Sequence, residues 1–340
     1  MYKRQRKYSA WIVSDGRVGR RNQCLGVAQK IPADIEVLKI KDIEEAGSLT
    51  HYLEKKFGRT PQAEDWPDVL LSSGDDAGNI AVNIKRLSNG KIFLAGITPH
   101  VNSIRFDLMT NIKHGESRPA LSNMEMIGVP HKVTPKEISK ETNKWRDRMQ
   151  GITESGKPIL SVLIGGNVND SFEFDMKEAK ELGEQINKEA KRLDAALLMT
   201  NSPRISVPVW RELLKNATDG IEYAYIHDCR KVDAGAGNPF SAMLGMADVI
   251  MVTGDSISMV SEATSTGKPV YIASPDSITP KLYKQMHQDF YDRGLARKFD
   301  KHLEAYKVEA KPLDEAGRIA NKISEELDKR MSKDSQSPAR

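Results

Sequence analysis

The sequence predicts an α/β protein in which repeated strand-helix units build parallel sheets. Short β-branched apolar runs recur along the chain, and most end in a loop rich in glycine, serine and aspartate that leads into a helical stretch. Such repeats favour doubly wound sheets, whose ligands bind beyond the carboxyl ends of the strands. Because the chain has 340 residues, it is long enough for two domains of this kind, each with its own core.

The apolar runs place five strands in each half of the chain. In the first half we expect strands at 10–14, 35–40, 69–72, 92–96 and 107–109, with helices at 22–30, near 52–57 and ending near 87. In the second half we expect strands at 159–164, 195–199, 223–227, 247–252 and 269–274, with helices at 176–193, 256–266 and 312–331. A polar, charged passage at 130–157 separates the halves, so we predict domains at 8–150 and 151–310.

A tight turn follows the strand predicted at 247–252. Its residues are Thr253-Gly254-Asp255-Ser256, and Gly254 allows the backbone to turn sharply. Asp255 or Ser256 is expected to cap the helix that follows by accepting its first amide hydrogens. The strand therefore leads to a helix N-terminus at the carboxyl edge of the sheet.

That helix N-terminus suits an anion such as a phosphate or diphosphate. Its free amides and its dipole favour negative charge, and Thr253, Ser256 and Ser258 add hydroxyl groups. Glu262 follows Ser258 by about one turn, so its carboxylate could accept two hydrogen bonds from a ribose. The alternative is that the serines solvate a surface helix and that Glu262 is an ordinary exposed acid.

Two further loops of the second half carry candidate ligand-binding residues. Gly165-Gly166-Asn167 follows a strand, and two glycines allow a ligand to approach the backbone closely. Ser202 and Arg204 follow the next strand, and Arg204 could pair bidentately with a phosphate. A plain glycine-rich turn and a surface role for Arg204 are the alternatives.

Composition indicates a globular, non-membrane-spanning protein. Hydrophobic residues make up 39% and charged residues 29% of the chain, and no apolar run approaches the roughly 20 residues that span a bilayer. No signal peptide is recognisable, and Cys24 and Cys229 form no metal or redox pattern. We therefore expect a cytoplasmic protein.

The basic residues indicate an anionic partner rather than nucleic acid. The net charge is only +4, but the tip at 1–7 is basic and Arg17, Arg20 and Arg21 follow the first strand. Together they could attract anionic lipid headgroups or a phosphorylated acceptor, although the sequence favours a solvated tail for the tip. Elsewhere basic and acidic residues alternate without an aromatic stacking platform, which argues against nucleic-acid binding.

Several strings of the sequence resemble one known family. In chain order they are WIVSDGRVGRRNQCLGVAQ, SVLIGGNVNDSFEFD, GNPFSAML, ADVIMVTGDSISMVSEATSTGKPV, FYDRGLARKF and PLDEAGRIA. They are similar to the signatures of the mitochondrial-fission (elongated-mitochondria) family and run in order through about residues 10 to 325. The resemblance implies two Rossmann-like domains facing a cleft, the GT-B-like fold of nucleotide-sugar transferases.

The same resemblance implies a function. The bacterial branch of the family implies a glycosyltransferase that moves a sugar from a nucleotide-sugar to a cell-envelope glycolipid or glycan, at the inner face of the membrane and without a metal or other cofactor. A nucleotide-sugar 2-epimerase with the same fold is one alternative. A non-enzymatic membrane-fission adaptor, as the plant name suggests, is the other.

The resemblance also assigns roles in the second domain. It places Gly165 and Gly166 beside the donor diphosphate, and it leads the segment 233–238, which ends in Asn238, onto the nucleotide. A GT-B-like fold also implies that the helix at 311–331 packs back on the first domain. The tail at 332–340 is expected to be disordered.

On the acceptor side, Asp15 lies where inverting transferases of this fold often hold the general base. It could serve if it reaches the acceptor hydroxyl, although an Asp-Gly pair is also a common turn and His100 is a rival base. The remaining acceptor-side candidates are Arg17, Asn22, Gly74 and Asp75. The adjacent acids Asp75 and Asp76 have no third ligand at a suitable spacing, so no metal site is predicted.

Overall fold

Parallel strands form the frame of both parts of the chain. The computed structural model describes residues 7–115, 119–231 and 237–334. Residues 1–6 of the predicted basic tip, 233–236 of the glycine-rich segment and the tail from 335 onward lie outside the described residues. The chain divides into unit 1, residues 1–132 with 314–340, and unit 2, residues 133–313.

Within the described residues, unit 1 contains a six-stranded parallel sheet. Its strands are β1 (Tyr8–Ser14), β2 (Ala33–Lys39), β3 (Val69–Ser72), β4 (Phe93–Gly96), β5 (Leu108–Ile112) and β6 (Asn123–Met126). Its first four helices are α1 (Val18–Ala28), α2 (Ile40–Glu45), α3 (Leu49–Phe57) and α4 (Asp75–Leu87). The strand order is β2-β1-β3-β4-β5-β6. All four residues of β3 are buried, as expected for a strand covered on both faces.

The described part of unit 2 contains a second six-stranded parallel sheet. Its helices are α5 (Pro135–Trp145), α6 (Gln150–Thr153), α7 (Met176–Arg192), α8 (Val207–Ala217), α9 (Phe240–Met246), α10 (Ile257–Thr264) and α11 (Lys281–Asp292). Its strands are β7 (Ile159–Ile164), β8 (Ala196–Asn201), β9 (Ala224–His227), β10 (Val249–Thr253), β11 (Val270–Ala273) and β12 (Arg297–Lys298). The strand order is β12-β11-β10-β7-β8-β9. The predicted α/β class with two Rossmann-like parallel sheets is confirmed.

Each sheet has a topological switch point beside its first strand. In unit 1 the chain passes from β1 to β2 on one side and then to β3 on the other side of β1. In unit 2 it passes from β7 through β8 to β9 and then returns to β10 on the other side of β7. The crevice beyond the carboxyl ends of two such strands is where open α/β sheets bind ligands.

The passage at 133–150, which the sequence assigned to the first domain, belongs to unit 2. Its helix α5 ends at Trp145, which is fully buried in a cluster with Met149, Ala242 and Met243. The polar residues of α5 suggested a linker, but the helix is amphipathic. One buried tryptophan attaches it to the sheet of unit 2.

A final helix, α12 (Glu315–Asp334), belongs to unit 1. Its apolar positions repeat every three or four residues and join the core that lies between α1 and the sheet; they are Ala316, Ile319, Ala320, Ile323 and Leu327. In the described part of the chain, neither α12 nor another helix is both long and apolar enough to cross a membrane.

A buried carboxylate fixes the far end of α12. Asp107, which is 7% exposed, accepts hydrogen bonds from Arg330 Nη2 at 2.6 Å, Lys85 Nζ at 2.6 Å and the Leu94 amide at 2.7 Å. The Arg330 guanidinium also lies 4.8 Å from the ring centre of Phe93. The charge of Asp107 is therefore compensated from both α4 and α12.

Replacing Asp107 by asparagine is expected to destabilise unit 1 by about 3 kcal/mol, because Lys85 and Arg330 lose their buried counter-charge. Asp34→Asn is the matched control, since Asp34 pairs with Lys7 at the surface with 73% of its side chain exposed. The control should change stability by less than about 0.5 kcal/mol. Differential scanning calorimetry measures both, and equal small shifts would show that the Asp107 network contributes little.

Candidate functional site

The loops that follow β7 and β10 meet at the switch point of unit 2. The Gly165 amide donates to Thr253 Oγ1 at 2.7 Å, and the Gly166 amide donates to Asp255 Oδ2 at 2.7 Å. Two short hydrogen bonds therefore join the glycine loop after β7 to the turn after β10. The structure brings these predicted residues together.

Asp255 lies at the centre of this contact. Its side chain is inaccessible to solvent, and its Oδ2 also accepts from Arg204 Nη2 at 2.7 Å. Burial raises the pKa of the Asp255 carboxyl, while the Arg204 guanidinium and hydrogen bonds from Thr253 and Gly166 oppose that rise. Among the described residues, its second oxygen, Oδ1, has no hydrogen-bond partner.

The glycines of this site are required by close packing. A Cβ atom on Gly165 would lie 1.9 Å from Asp255 Oδ2, and one on Gly166 would lie 2.4 Å from the carbonyl carbon of Arg204. A Cβ on Gly254 would lie 2.4 Å from Ser274 Oγ. No side chain fits at these positions, so the close packing of the loops requires glycine.

Arg204 has different partners from those that the sequence suggested. Its Nη1 donates to the carbonyls of Gly166 at 3.1 Å and Asn167 at 2.8 Å, and its Nη2 donates to Asp255. Ser202 Oγ donates to the Gly165 carbonyl at 2.7 Å and accepts from the Arg204 amide at 3.2 Å. Both side chains thus hold the loops at the end of β7.

The N-terminus of α10 opens at the same edge of the sheet. The expectation that Asp255 or Ser256 caps this helix is wrong, because Asp255 binds Gly166 and Ser256, at the N-cap position, makes no side-chain capping bond within the described residues. Its φ and ψ angles are −120° and 85°. The first turn of α10 therefore lacks a side-chain cap and keeps its suitability for an anion.

The other predicted donor residues lie on this edge or near it. Ser258 and Glu262 are half-buried on α10, one turn apart. Asn167 Oδ1 accepts from the Phe174 amide at 2.9 Å, which closes the loop between β7 and α7. Asn238 is exposed, and its Oδ1 accepts from the amide of Phe240 at 2.9 Å. The two asparagines thus fix their own loops.

Residues that the sequence analysis did not single out line the other side of Gly254. His287 of α11 is 1% exposed, and its Nδ1 lies 3.0 Å from Ser274 Oγ. Burial raises the pKa of Tyr283 and raises that of Tyr291 to about 12. The spacing of Met286 and Phe290 in α11 is the signal that would have revealed this helix.

At the switch point of unit 1, Asp15 is held by its neighbours. Its Oδ2 accepts from Arg20 Nη1 at 2.6 Å and its Oδ1 accepts from the Arg17 amide at 3.0 Å. A Cβ on Gly74 would lie 2.3 Å from Arg20 Nη1, and Gly74 has a φ angle of +88°, a conformation that favours glycine. The loops after β1 and β3 are therefore in contact through Arg20.

The remaining acceptor-side candidates are close to this contact. Asn22 is half-buried within α1, which begins at Val18 and therefore starts four residues earlier than predicted. Asp75 begins α4, and its Oδ1 accepts from the Val101 amide at 3.3 Å. His100, the rival base, is 1% exposed and accepts from the Asn102 amide through Nδ1, so its Nε2 carries the proton facing the Asp75 carbonyl at 3.1 Å.

In the portion of the chain that the structure describes, no three His, Cys, Asp or Glu side chains are arranged to hold a metal ion. The Cys24 thiol is buried, and burial raises its pKa. Burial, followed by the charge of Asp228, also raises the pKa of the half-buried Cys229 thiol. Neither thiol has the low pKa of a reactive cysteine.

Protonation of His287 is expected to destabilise the fold in acid. Burial lowers the pKa of His287 to about 4, whereas a histidine in an unfolded chain titrates near about 6.5. Between these values the unfolded state binds more protons. The free energy of unfolding should therefore fall as the pH falls, by about 3 kcal/mol from pH 7 to pH 4 through this residue.

Urea unfolding at a series of pH values tests this expectation on His287→Gln, which removes the titrating group. Between pH 7 and pH 4 the variant should lose about 3 kcal/mol less stability than the wild type. His51→Gln is the control, because His51 is exposed on α3. Parallel pH profiles for the wild type and His287→Gln would contradict the assignment.

Two solved structures share the fold over almost the whole chain. One is the UDP-GlcNAc 2-epimerase of Methanocaldococcus jannaschii in complex with UDP-GlcNAc and UDP, at 12% identity and a TM-score of 0.52, covering 95% of this chain and 100% of the other. The other is HepE of Anabaena in complex with UDP-glucose, at 12% identity and a TM-score of 0.52, covering 96% and 100%. The fold is therefore GT-B-like.

Sequence comparison identifies the family. The mitochondrial fission protein ELM1 of Arabidopsis thaliana is 25% identical over an alignment of 298 residues that covers 80% of this chain and 66% of the plant protein. The chain therefore spans slightly less than two thirds of that relative. The family model of mitochondrial fission ELM1 matches residues 18–327, and so includes the loops at the switch point of unit 2 and, at that of unit 1, every candidate residue except Asp15 and Arg17. The chain belongs to the mitochondrial fission ELM1 family.

Proposed function

We propose that this protein is a glycosyltransferase that moves a sugar from a nucleotide-sugar donor to a hydroxyl group of a cell-envelope glycolipid or glycan. The observation that carries the proposal is the pair of loops at the switch point of unit 2. There the side-chain-free backbone of Gly165 and Gly166 meets the uncapped N-terminus of α10. A backbone wall beside a helix N-terminus is suited to a diphosphate.

In this proposal the donor diphosphate lies against Gly254, Ser256 and the loop after β7. Backbone amides and the dipole of α10 would stabilise the charge that develops on the leaving diphosphate. Glu262 would accept hydrogen bonds from the ribose, as the acidic residue of dinucleotide-binding folds does. The complexes of the two solved structures with UDP-sugars support a donor of this class.

The acceptor is assigned to the carboxyl edge of unit 1. Asp15 is the proposed general base, and its Oδ2, which it shares with Arg20, is the atom that would take the proton of the acceptor hydroxyl. The acceptor hydroxyl would have to compete with Arg20 for the carboxylate of Asp15. Asp15→Asn should therefore lower the rate of transfer much more than donor binding.

Isothermal titration calorimetry with UDP, GDP, ADP, CMP and their sugars tests the donor site. We expect one nucleotide class to bind, and Gly165→Ala to weaken it by about tenfold or more, because the new methyl group displaces Asp255 and with it the two loops. Gly151→Ala is the matched control: Gly151 lies in the same unit, and a Cβ added there would meet no other part of the described structure within 4 Å.

Glu262→Ala, compared with Glu184→Ala on the exposed face of α7, separates ribose binding from general effects. Loss of nucleotide affinity with unchanged affinity for inorganic diphosphate would support the role of Glu262. The protein is then incubated with the nucleotide-sugar that it binds, and chromatography of the products distinguishes transfer or hydrolysis from 2-epimerisation. If the folded protein binds no nucleotide at millimolar concentration, the donor site is wrong and the adaptor function is favoured.

An anionic membrane surface is the proposed location of the acceptor. Arg17 has 68% of its side chain exposed, Arg21 is exposed, and Val18 between them is 60% exposed. Exposed cations beside an apolar side chain suit the headgroup region of an anionic bilayer.

Co-sedimentation with phosphatidylcholine vesicles, with and without phosphatidylglycerol, tests this location. Arg17→Gln combined with Arg21→Gln should reduce binding to the anionic vesicles about thirtyfold, since each of the two cations near such a surface contributes about 1 kcal/mol. Arg211→Gln combined with Lys215→Gln on α8 is the matched control. Equal binding to both vesicle types would rule the location out.

A further inference from the structure

We infer that Arg204 is a positioning residue that sets the spacing of the two loops at the donor site and does not itself bind the donor. The inference rests on the proposed function, because it concerns the same site. It replaces the expectation that the guanidinium pairs directly with a phosphate. Three observations carry it.

The first observation is how the guanidinium is used. Nη1 donates to the carbonyls of Gly166 and Asn167, at 3.1 and 2.8 Å, and Nη2 donates to Asp255 Oδ2 at 2.7 Å and to its carbonyl at 3.4 Å. Both terminal nitrogens therefore face the protein. A guanidinium that is bound in this way has little capacity left for a bidentate phosphate contact.

The second observation is what Arg204 connects. Its partners lie on the loop after β7 and on the turn after β10, while Arg204 itself follows β8. Its carbonyl accepts from the Asn167 amide at 3.3 Å, and its backbone lies where a Cβ on Gly166 would be. One side chain thus fixes three loops that end at the same edge of the sheet.

The third observation is the charge of the pair. Asp255 is fully buried and Arg204 has 36% of its side chain exposed, so the guanidinium compensates a carboxylate that would otherwise be isolated from water. The pair is formally neutral. The amides of Gly165, Gly166 and Asn167 already bond within the protein. The donor diphosphate would then be bound by the first-turn amides of α10, whose position the pair helps to determine.

Lysine cannot replace arginine in this arrangement. The planar guanidinium reaches two carbonyls on one loop and a carboxylate on another at fixed angles. A lysine ammonium is a single point charge and cannot do so. Arg204→Lys should therefore keep the charge of the site but lose the spacing of the loops. We expect its affinity for UDP, or for whichever nucleoside diphosphate the wild type binds, to fall about tenfold.

The matched control is Arg192→Lys. Arg192 also forms a fork in unit 2, donating from Nε and Nη2 to Glu189, and its side chain is 38% exposed beside a carboxylate that is 1% exposed. This pair fixes Leu303, whose amide donates to Glu189. It lies outside the donor site, so its replacement should lower the unfolding temperature to a similar degree and leave nucleotide affinity unchanged.

Calorimetric titration with the nucleoside diphosphate, inorganic diphosphate and the free nucleoside provides the test. Arg204→Lys should weaken the first two about tenfold and leave the nucleoside unaffected, a pattern that general destabilisation does not produce. Asp255→Asn should show the same pattern. The double variant should bind the nucleoside diphosphate no more weakly than either single variant, because both changes break the same contact.

The outcomes separate the two hypotheses. If the wild type binds no nucleotide, the proposed function fails. If the wild type binds and Arg204→Lys binds equally well, or loses nucleoside and diphosphate affinity together, the positioning role is wrong. If the losses of Arg204→Lys and Asp255→Asn simply add in the double variant, Arg204 contacts the ligand directly.

Discussion

The proposed donor site of unit 2 depends on one buried carboxylate. Asp255 has no solvent to stabilise its charge, and the guanidinium of Arg204 with the amide of Gly166 takes that place. This requirement explains the neighbouring residues. Gly165 must lack a side chain because Asp255 occupies the space, and Gly166 must lack one because the backbone of Arg204 does. Of the two glycines of the sequence motif, Gly165 is thus required by the ion pair and Gly166 by the path of the neighbouring backbone.

Unit 1 also contains a buried carboxylate that is paired with basic side chains, and there the pairing holds a helix in place. Asp107 is buried between Lys85 and Arg330 and secures α12, the last helix of the chain, to the first sheet. At the carboxyl edge, Asp15 is paired with Arg20, whose guanidinium packs against Gly74 in the loop after β3. Asp255 and Arg204, by contrast, join the loops after β7, β8 and β10 through direct hydrogen bonds.

At the proposed donor site we therefore expect ligand affinity to depend on the packing behind it. Gly254, which turns the chain into α10, packs against Ser274 and against His287, whose imidazole stays neutral because burial lowers its pKa to about 4. A substitution at Ser274 or His287 would move the backbone of Gly254, which would contact a ligand. Residues behind the site can therefore alter affinity without touching the donor.

The sequence by itself determined the α/β class and the places where ligand loops occur. Strands such as β3 and β7 were located to the residue, because an apolar run bounded by turn residues is a local signal. The unit boundary falls within the polar passage predicted at 130–157, but the sequence assigned 133–150 to the wrong unit, since the helix that ends at Trp145 looks polar until its one buried side is known. Only the tertiary structure paired Arg204 with Asp255, 51 residues apart along the chain. The order of the strands in the sheet determines which residues can form such a pair. Composition and periodicity are local properties of the sequence and do not specify that order.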